Sequence, residues 1–214
     1  MEEQGNKMEH AIESDTELKN FCAAGLHLVP IPPINGKPSK APRSKGWNQP
    51  KSKNNPGGYS ANFEDFNSNN GLNFGLYHGA SGTLALDLDN VALATKAFLD
   101  LTGIDISEWL NDRARAEIRS PKNNRAKLLF ELPPGVNYGL HQLKFNNQVI
   151  FELRCGNCQD VIFGLHPDGG EYQFIGNPSA IPPIPDVLLD MLDHWDEWKI
   201  CLETAINPGK PAKI

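Results

Sequence analysis

GTLALDLDNVALA, residues 82–94, holds the pattern on which the fold turns. Leu84, Ala85, Leu86 and Leu88 form a short apolar run, entered through Gly82 and left through Asn90, which reads as a buried strand. Side chains alternate faces along a strand, so Asp87 and Asp89 share one face while Leu86 and Leu88 take the other. Two carboxylates on one face repel and raise each other's pKa unless a cation lies between them. Such hard oxygen ligands suit Mg²⁺ or Mn²⁺, and a pair of ions held this way serves phosphoryl transfer. A D-x-D pair also suits the polar end of a strand that simply reaches the surface. The stretch alone does not choose.

Outward from it, the chain has 214 residues, enough for one domain with a substantial core. No apolar run approaches the ~20 residues of a membrane span, and no membrane partner is expected. The start, MEEQGNKMEHAIESD, is too acidic for a signal peptide. The cysteines, Cys22, Cys155, Cys158 and Cys201, are too few for a disulfide scaffold and suit a reduced, cytoplasmic setting. The net charge of −6 argues against a general nucleic-acid coat. Its distribution is uneven. No acid lies between Glu17 and Glu64, a window holding Lys19, Lys37, Lys40, Arg43, Lys45, Lys51 and Lys53. A second basic group spans Arg113 to Lys127. Such patches on an acidic chain suit an anionic substrate, or an ordinary solvated loop.

The periodicity predicts an α+β domain with mixed, largely antiparallel sheets, flanking helices and a strong C-terminal helix. An N-terminal helix is expected over 8–25, then a strand at LHLVPI ended by prolines. Residues 35–71 read as a long basic loop, of a length that is usually functional or mobile. LNFGLYHG and GTLALDLD read as consecutive strands joined by a short Gly/Ser turn. Helices follow over 91–101 and 105–113, the second capped by Asp105 or Ser107. AEIRS and AKLLFEL are expected strands around a polar turn. QVIFELR and DVIFGL are expected to flank CGNCQ as a hairpin, and EYQFIG is one more strand. One helix is expected from IPDVLLDMLDHWDEWKICLETA, with Leu188, Met191, Leu192, Trp195 and Trp198 as its apolar stripe. The tail 207–214 resembles a linker.

Beyond the D-x-D pair, Glu152 in VIFELR offers a third acid inside an apolar strand, and Arg154 shares its face. An acid and an arginine so placed suit a metal-bound triphosphate, or a cross-strand ion pair on a wet face. Lys127 and Arg125 are further candidates for phosphate, or plain surface. His166 in GLHPDGG ends a strand near Asp160 and Asp168; a lone His is more often structural than catalytic. CGNC has half the spacing of a zinc site, but no second half exists, so zinc is not expected and a hairpin tip is preferred.

The ordered set resembles a known family. LVPIPPINGKPSKAPRSKGWNQP, NFGLYHGASGTLALDLDN and FELRCGNCQDVIFGLHPDGGEYQF resemble successive blocks of bifunctional primase–polymerase domains of the archaeo-eukaryotic primase superfamily, common in phage and plasmid replication proteins. The likeness runs from about residue 20 to 180. It implies an RRM-like catalytic core within a prim-pol domain over 1–206, with a C-terminal helicase beyond the tail. It implies two metal ions on Asp87, Asp89 and Glu152, and NTP or dNTP joined on a single-stranded DNA template. Arg154, His166, Lys127 and Arg125 become nucleotide contacts, and Lys40, Arg43, Lys45 and Trp47 DNA contacts. One departure stands out: Lys127, in RSPKNNRAKLLFELP, holds the place where the family has a histidine. Two rivals remain: a haloacid-dehalogenase-type phosphatase with Asp87 as nucleophile, and a non-catalytic nucleic-acid-binding replication module.

Overall fold

The computed structural model describes residues 15–66 and 73–207. Its strands are β1 (Leu28–Ile31), β2 (Asn73–Tyr77), β3 (Thr83–Leu88), β4 (Ala116–Arg119), β5 (Ala126–Glu131), β6 (His141–Phe145), β7 (Gln148–Arg154), β8 (Gln159–Leu165) and β9 (Glu171–Ile175). Its helices are α1 (15–23), α2 (His78–Ser81), α3 (Val91–Thr102), α4 (Ile106–Asn111), α5 (Asp186–Asp193) and α6 (Trp195–Ile206). The strands form one nine-stranded sheet in the order β1-β2-β8-β9-β4-β5-β3-β7-β6. Every neighbouring pair is antiparallel. The α+β class is therefore as expected.

β3 shows why the chain folds this way. Leu84, Leu86 and Leu88 are fully buried and pack with Leu128, Phe130, Phe151 and Leu153 of its neighbours against Phe98, Leu188, Met191 and Leu202 of the helices. Ala85, on the opposite face, belongs to a second core with Leu18, Phe21, Leu28, Leu76, Leu129 and Ile162. That core draws on the β1 end of the strand order and on β4, β5 and β3 further along it, so the twisted sheet curls until β1, β2 and β8 face β3, β4 and β5. The polar residues of β3, β5, β7 and β8 gather on this inner face.

Several expectations hold. β1, β4, β5 and β9 lie where the pattern placed them, and α3 and α4 follow the D-x-D pair. Asp105 caps α4, its carboxylate accepting from the Ser107 N–H at 2.9 Å. Other expectations need correction. The expected 8–25 helix is helical over 15–23, and its residues 8–14, like tail residues 208–214, lie outside the described residues, so that part of the expectation is not at issue. β2 and β3 are consecutive, but α2 joins them and they do not pair. The single closing helix is two, broken at His194, with Asp190 accepting from the Trp198 indole N–H at 2.7 Å across the break.

The largest correction concerns CGNCQ. β7 and β8 are not a hairpin: β7 pairs with β3 and β6, while β8 pairs with β2 and β9. The segment carries the chain across to the other side of the curl. Cys155 is fully buried there, and Gly156 has φ +56°, with a Cβ on it falling 2.2 Å from the Tyr138 carbonyl. The true hairpin is β6–β7, which pattern reading missed. Its two loop residues, Asn146 and Asn147, have φ of 48° and 64°, as a type I′ turn requires.

Leu86 is fully buried between strands and helices. Leu86→Ala is expected to cost about 3 kcal/mol of stability, read as a lower urea midpoint at an unchanged slope.

Candidate active site

The register of four strands sets one row of polar side chains across the sheet. Asp87 of β3 lies opposite Lys127 of β5 on one side and Glu152 of β7 on the other, and Glu152 lies opposite Gln142 of β6. All four occupy the inner face because their sequence neighbours Leu86, Leu88, Leu128, Phe151 and Leu153 fill the helical core. The Lys127 ammonium stands 2.8 Å from the Asp87 carboxylate. Glu152 is paired with Arg154 at 2.6 Å and accepts from the Gln142 amide.

Behind the row lies Asp160, at the start of β8 and 3% exposed. Lys127 pairs with it, and Arg154 Nε lies 3.0 Å from its Oδ1. Its Oδ2 accepts from His78 Nε2 at 2.9 Å, and the other ring nitrogen of His78 meets the Thr83 hydroxyl at 2.9 Å. An ionised carboxylate only accepts, so His78 carries its proton on Nε2. Burial would raise the Asp160 pKa, but Lys127, His78 and Arg154 overcome it and hold the carboxyl far below the usual carboxylate range. Asp87 moves the other way: burial raises it, Lys127 only partly offsets that, and Asp160 adds to it. Burial also opposes the Lys127 charge, yet Asp160 and Asp87 push its pKa above the ordinary lysine value.

These groups open onto a cleft of about 210 Å³, lined by Asp87, Lys127, Arg154 and Asp160 and rimmed by Lys40, Arg125 and Tyr172. Arg125 pairs with Asp89 at 2.9 Å, just past the end of β3. Burial and the neighbouring charges of Lys122, Arg125 and Lys127 lower the Lys40 pKa, the mark of a crowded positive rim. His166 is buried beside that rim. Its Nδ1 accepts from the Asp168 N–H at 3.0 Å, its ring meets Tyr172 at 5.3 Å, and its Nε2 has no partner. Burial first, then Lys40, lowers its pKa, so it stays neutral.

The structure thus brings together Asp87, Glu152, Lys127 and Arg154, with Asp89, Arg125 and Lys40 at the edge. Lys40 enters because Gln159 Nε2 donates to its carbonyl at 2.7 Å, tying the basic loop to β8. Arg43 and Lys45 stay exposed on that loop, outside the cleft lining. Trp47 is half-buried, edge-on to Tyr77 at 5.5 Å. Asp160 and His78 are the groups that pattern reading passed over. An acid opening the apolar strand DVIFGL was their one signal.

Each acid of the expected metal set is engaged by its own cation: Asp87 by Lys127, Asp89 by Arg125, Glu152 by Arg154. Accordingly, among the described residues no three acid, His or Cys side chains are grouped to hold an ion as they stand. The donor set still fits a hard divalent ion. Asp87 and Glu152 are direct cross-strand partners, a relation that places Cβ atoms about 5 Å apart, and both offer only oxygen.

One antiparallel sheet thus carries the Asp87–Glu152 cross-strand pair on adjacent strands beside a cationic rim. The family model described as "Bifunctional DNA primase/polymerase, N-terminal" matches residues 19–187, and the chain belongs to this Prim-Pol family. No curated protein matches it. No helix among the described residues is long and apolar enough to cross a membrane.

The opposite shifts of Asp160 and Asp87 have opposite consequences for stability. A carboxyl with a depressed folded-state pKa stabilises the fold above its unfolded value, about 3.9, and loses that contribution as the pH falls. Asp160→Asn is expected to cost about 3–5 kcal/mol at pH 7, because it strands buried cations, and the difference from wild type shrinks as the pH drops through 4. Asp87→Asn removes a carboxylate whose charge burial disfavours, so it is expected to leave the melting temperature unchanged or raised. Calorimetry of both variants from pH 7 downward checks the pair.

Proposed function

We propose that the chain is a DNA-dependent primase/polymerase that joins NTPs or dNTPs by two-metal nucleotidyl transfer on a single-stranded DNA template, in cytoplasmic phage or plasmid replication. The observation that carries this reading is the cross-strand row Lys127–Asp87–Glu152, with Lys127 and Asp87 lining a cation-rimmed cleft, in a chain of the Prim-Pol family. The strand order β4-β5-β3-β7, with α3 and α4 between β3 and β4, supports an RRM-like core for it.

Asp87, Asp89 and Glu152 would hold Mg²⁺ or Mn²⁺, which supplies Lewis-acid stabilisation of charge on the phosphate oxygens. A primer 3′-hydroxyl, or that of an initiating nucleotide, attacks the α-phosphate. Its O–P bond forms as the hydroxyl proton passes to solvent, the bond to the β-phosphate breaks, and pyrophosphate leaves with the electron pair. Lys127 and Arg154 neutralise the triphosphate, Lys127 as a point charge where the family has a histidine. Arg125 and Lys40 line the path of the phosphates, and the neutral His166, whose buried Nε2–H has no partner, would become a nucleotide contact as ligand binding uncovers it. Arg43, Lys45 and Trp47 meet the template strand, with Trp47 offering a stacking face. The domain over 1–206 would pass through the tail to a helicase in the full-length protein.

The phosphatase rival fares poorly. Its nucleophile motif belongs to a parallel, Rossmann-like sheet, whereas β3 is antiparallel to both neighbours. In a primer-extension and de novo synthesis assay with Mn²⁺ or Mg²⁺, wild type is expected to incorporate nucleotide. Asp87→Ala is expected to lose about 100-fold or more, since even outer-shell changes at metal sites cost 10–100-fold. Wild-type protein that binds DNA but incorporates nothing would establish the non-catalytic module instead. Cleavage of a phosphate monoester dependent on Asp87 would establish the phosphatase.

A further inference from the structure

The two cations of the inner face are shared in a particular way. Lys127 touches Asp160 and Asp87. Arg154 touches Asp160 and Glu152. Each therefore bridges one common acid, which is not in the expected metal set, to one acid that is. Asp160 is the more firmly held end. It is 3% exposed, takes His78 at 2.9 Å as a third donor, and sits behind the row rather than in it. The outer ends are looser. The Asp87 side chain is about 20% exposed, and both Asp87 and Arg154 line the cleft.

We propose that Asp160 is the fixed counter-ion of the site, and that Lys127 and Arg154 are exchangeable latches on Asp87 and Glu152. A divalent ion takes these two carboxylates only as the two cations turn towards phosphate. The proposal rests on the nucleotidyl-transfer reading and adds a coupling to it. An ammonium 2.8 Å from Asp87 competes directly with a doubly charged ion for the same oxygen. Metal alone must displace the latch without compensation. Metal arriving with triphosphate gives the displaced cations new anionic partners, so the two ligands strengthen each other's binding. Asp160 keeps Lys127 and Arg154 in place throughout and acts as a positioning residue.

The test is Mn²⁺ binding to the full chain with no nucleotide present, followed by loss of the free-ion paramagnetic resonance signal. Lys127→Met removes the latch while keeping bulk, and is expected to bind Mn²⁺ about tenfold more tightly than wild type, the scale of a close charge-pair coupling. Lys127→Arg keeps the charge and is expected to stay near the wild-type affinity. Arg154→Met reads the same exchange on Glu152, and serves if Lys127→Met does not fold; melting curves decide that. Folded Met variants that bind Mn²⁺ no better than wild type would overturn the latch. If wild type still incorporates nucleotide in that case, the latch alone is wrong and the polymerase reading stands. If neither wild type nor the variants bind Mn²⁺ and no nucleotide is incorporated, the polymerase reading fails and takes the latch with it.

Discussion

The buried Asp160 carboxylate, with Lys127, Arg154 and His78 around it, is the contact on which the site depends. A carboxylate this deep is tolerated only when opposite charges and donors surround it. Meeting that demand fixes β8 against β5, β7 and α2, and so sets the curl that forms the cleft. Asp87 is the less favoured carboxylate, because burial and the nearby Asp160 charge raise its pKa and Lys127 only partly offsets them. Stability and function are divided between two aspartates on neighbouring walls of one cleft, the kind of trade expected where a site is built for a ligand not yet bound.

The fold delivers this geometry through alternation. β3, β5, β6 and β7 each give one face to the helical core and the other to the inner face. Leu86 and Leu88 therefore specify the direction of Asp87 as firmly as any contact it makes itself. A slip of one residue in the β3–β7 register would turn Asp87 or Glu152 into the core. The apolar residues are thus part of the site's specification.

Much of this was legible in the sequence. The strand character of Asp87, Glu152 and Arg154 follows from the apolar runs and period-two alternation, whereas the departure at Lys127 follows from the family resemblance, and Asp89 lies just past the strand end. What escaped was pairing. CGNCQ looked like a hairpin because two apolar strands flank a Gly-containing turn, but β7 is claimed on both sides, by β3 and by the β6 strand behind an Asn-Asn turn. Asp160 escaped for a related reason. Its partner His78 lies 82 positions away, and an acid at the start of a strand reads locally as a surface end. Local pattern reports which face a residue takes; it does not report which strand will lie opposite.

Where Lys127 goes when ligands arrive decides how the site works. The direct measurement is a crystal structure with Mn²⁺ and a non-hydrolysable nucleoside triphosphate. The account predicts anomalous density at Asp87, Asp89 and Glu152, with the Lys127 ammonium still on Asp160 but turned from Asp87 to the triphosphate. Metal density elsewhere, or Lys127 still seated between Asp87 and Asp160 with nucleotide bound, would contradict it.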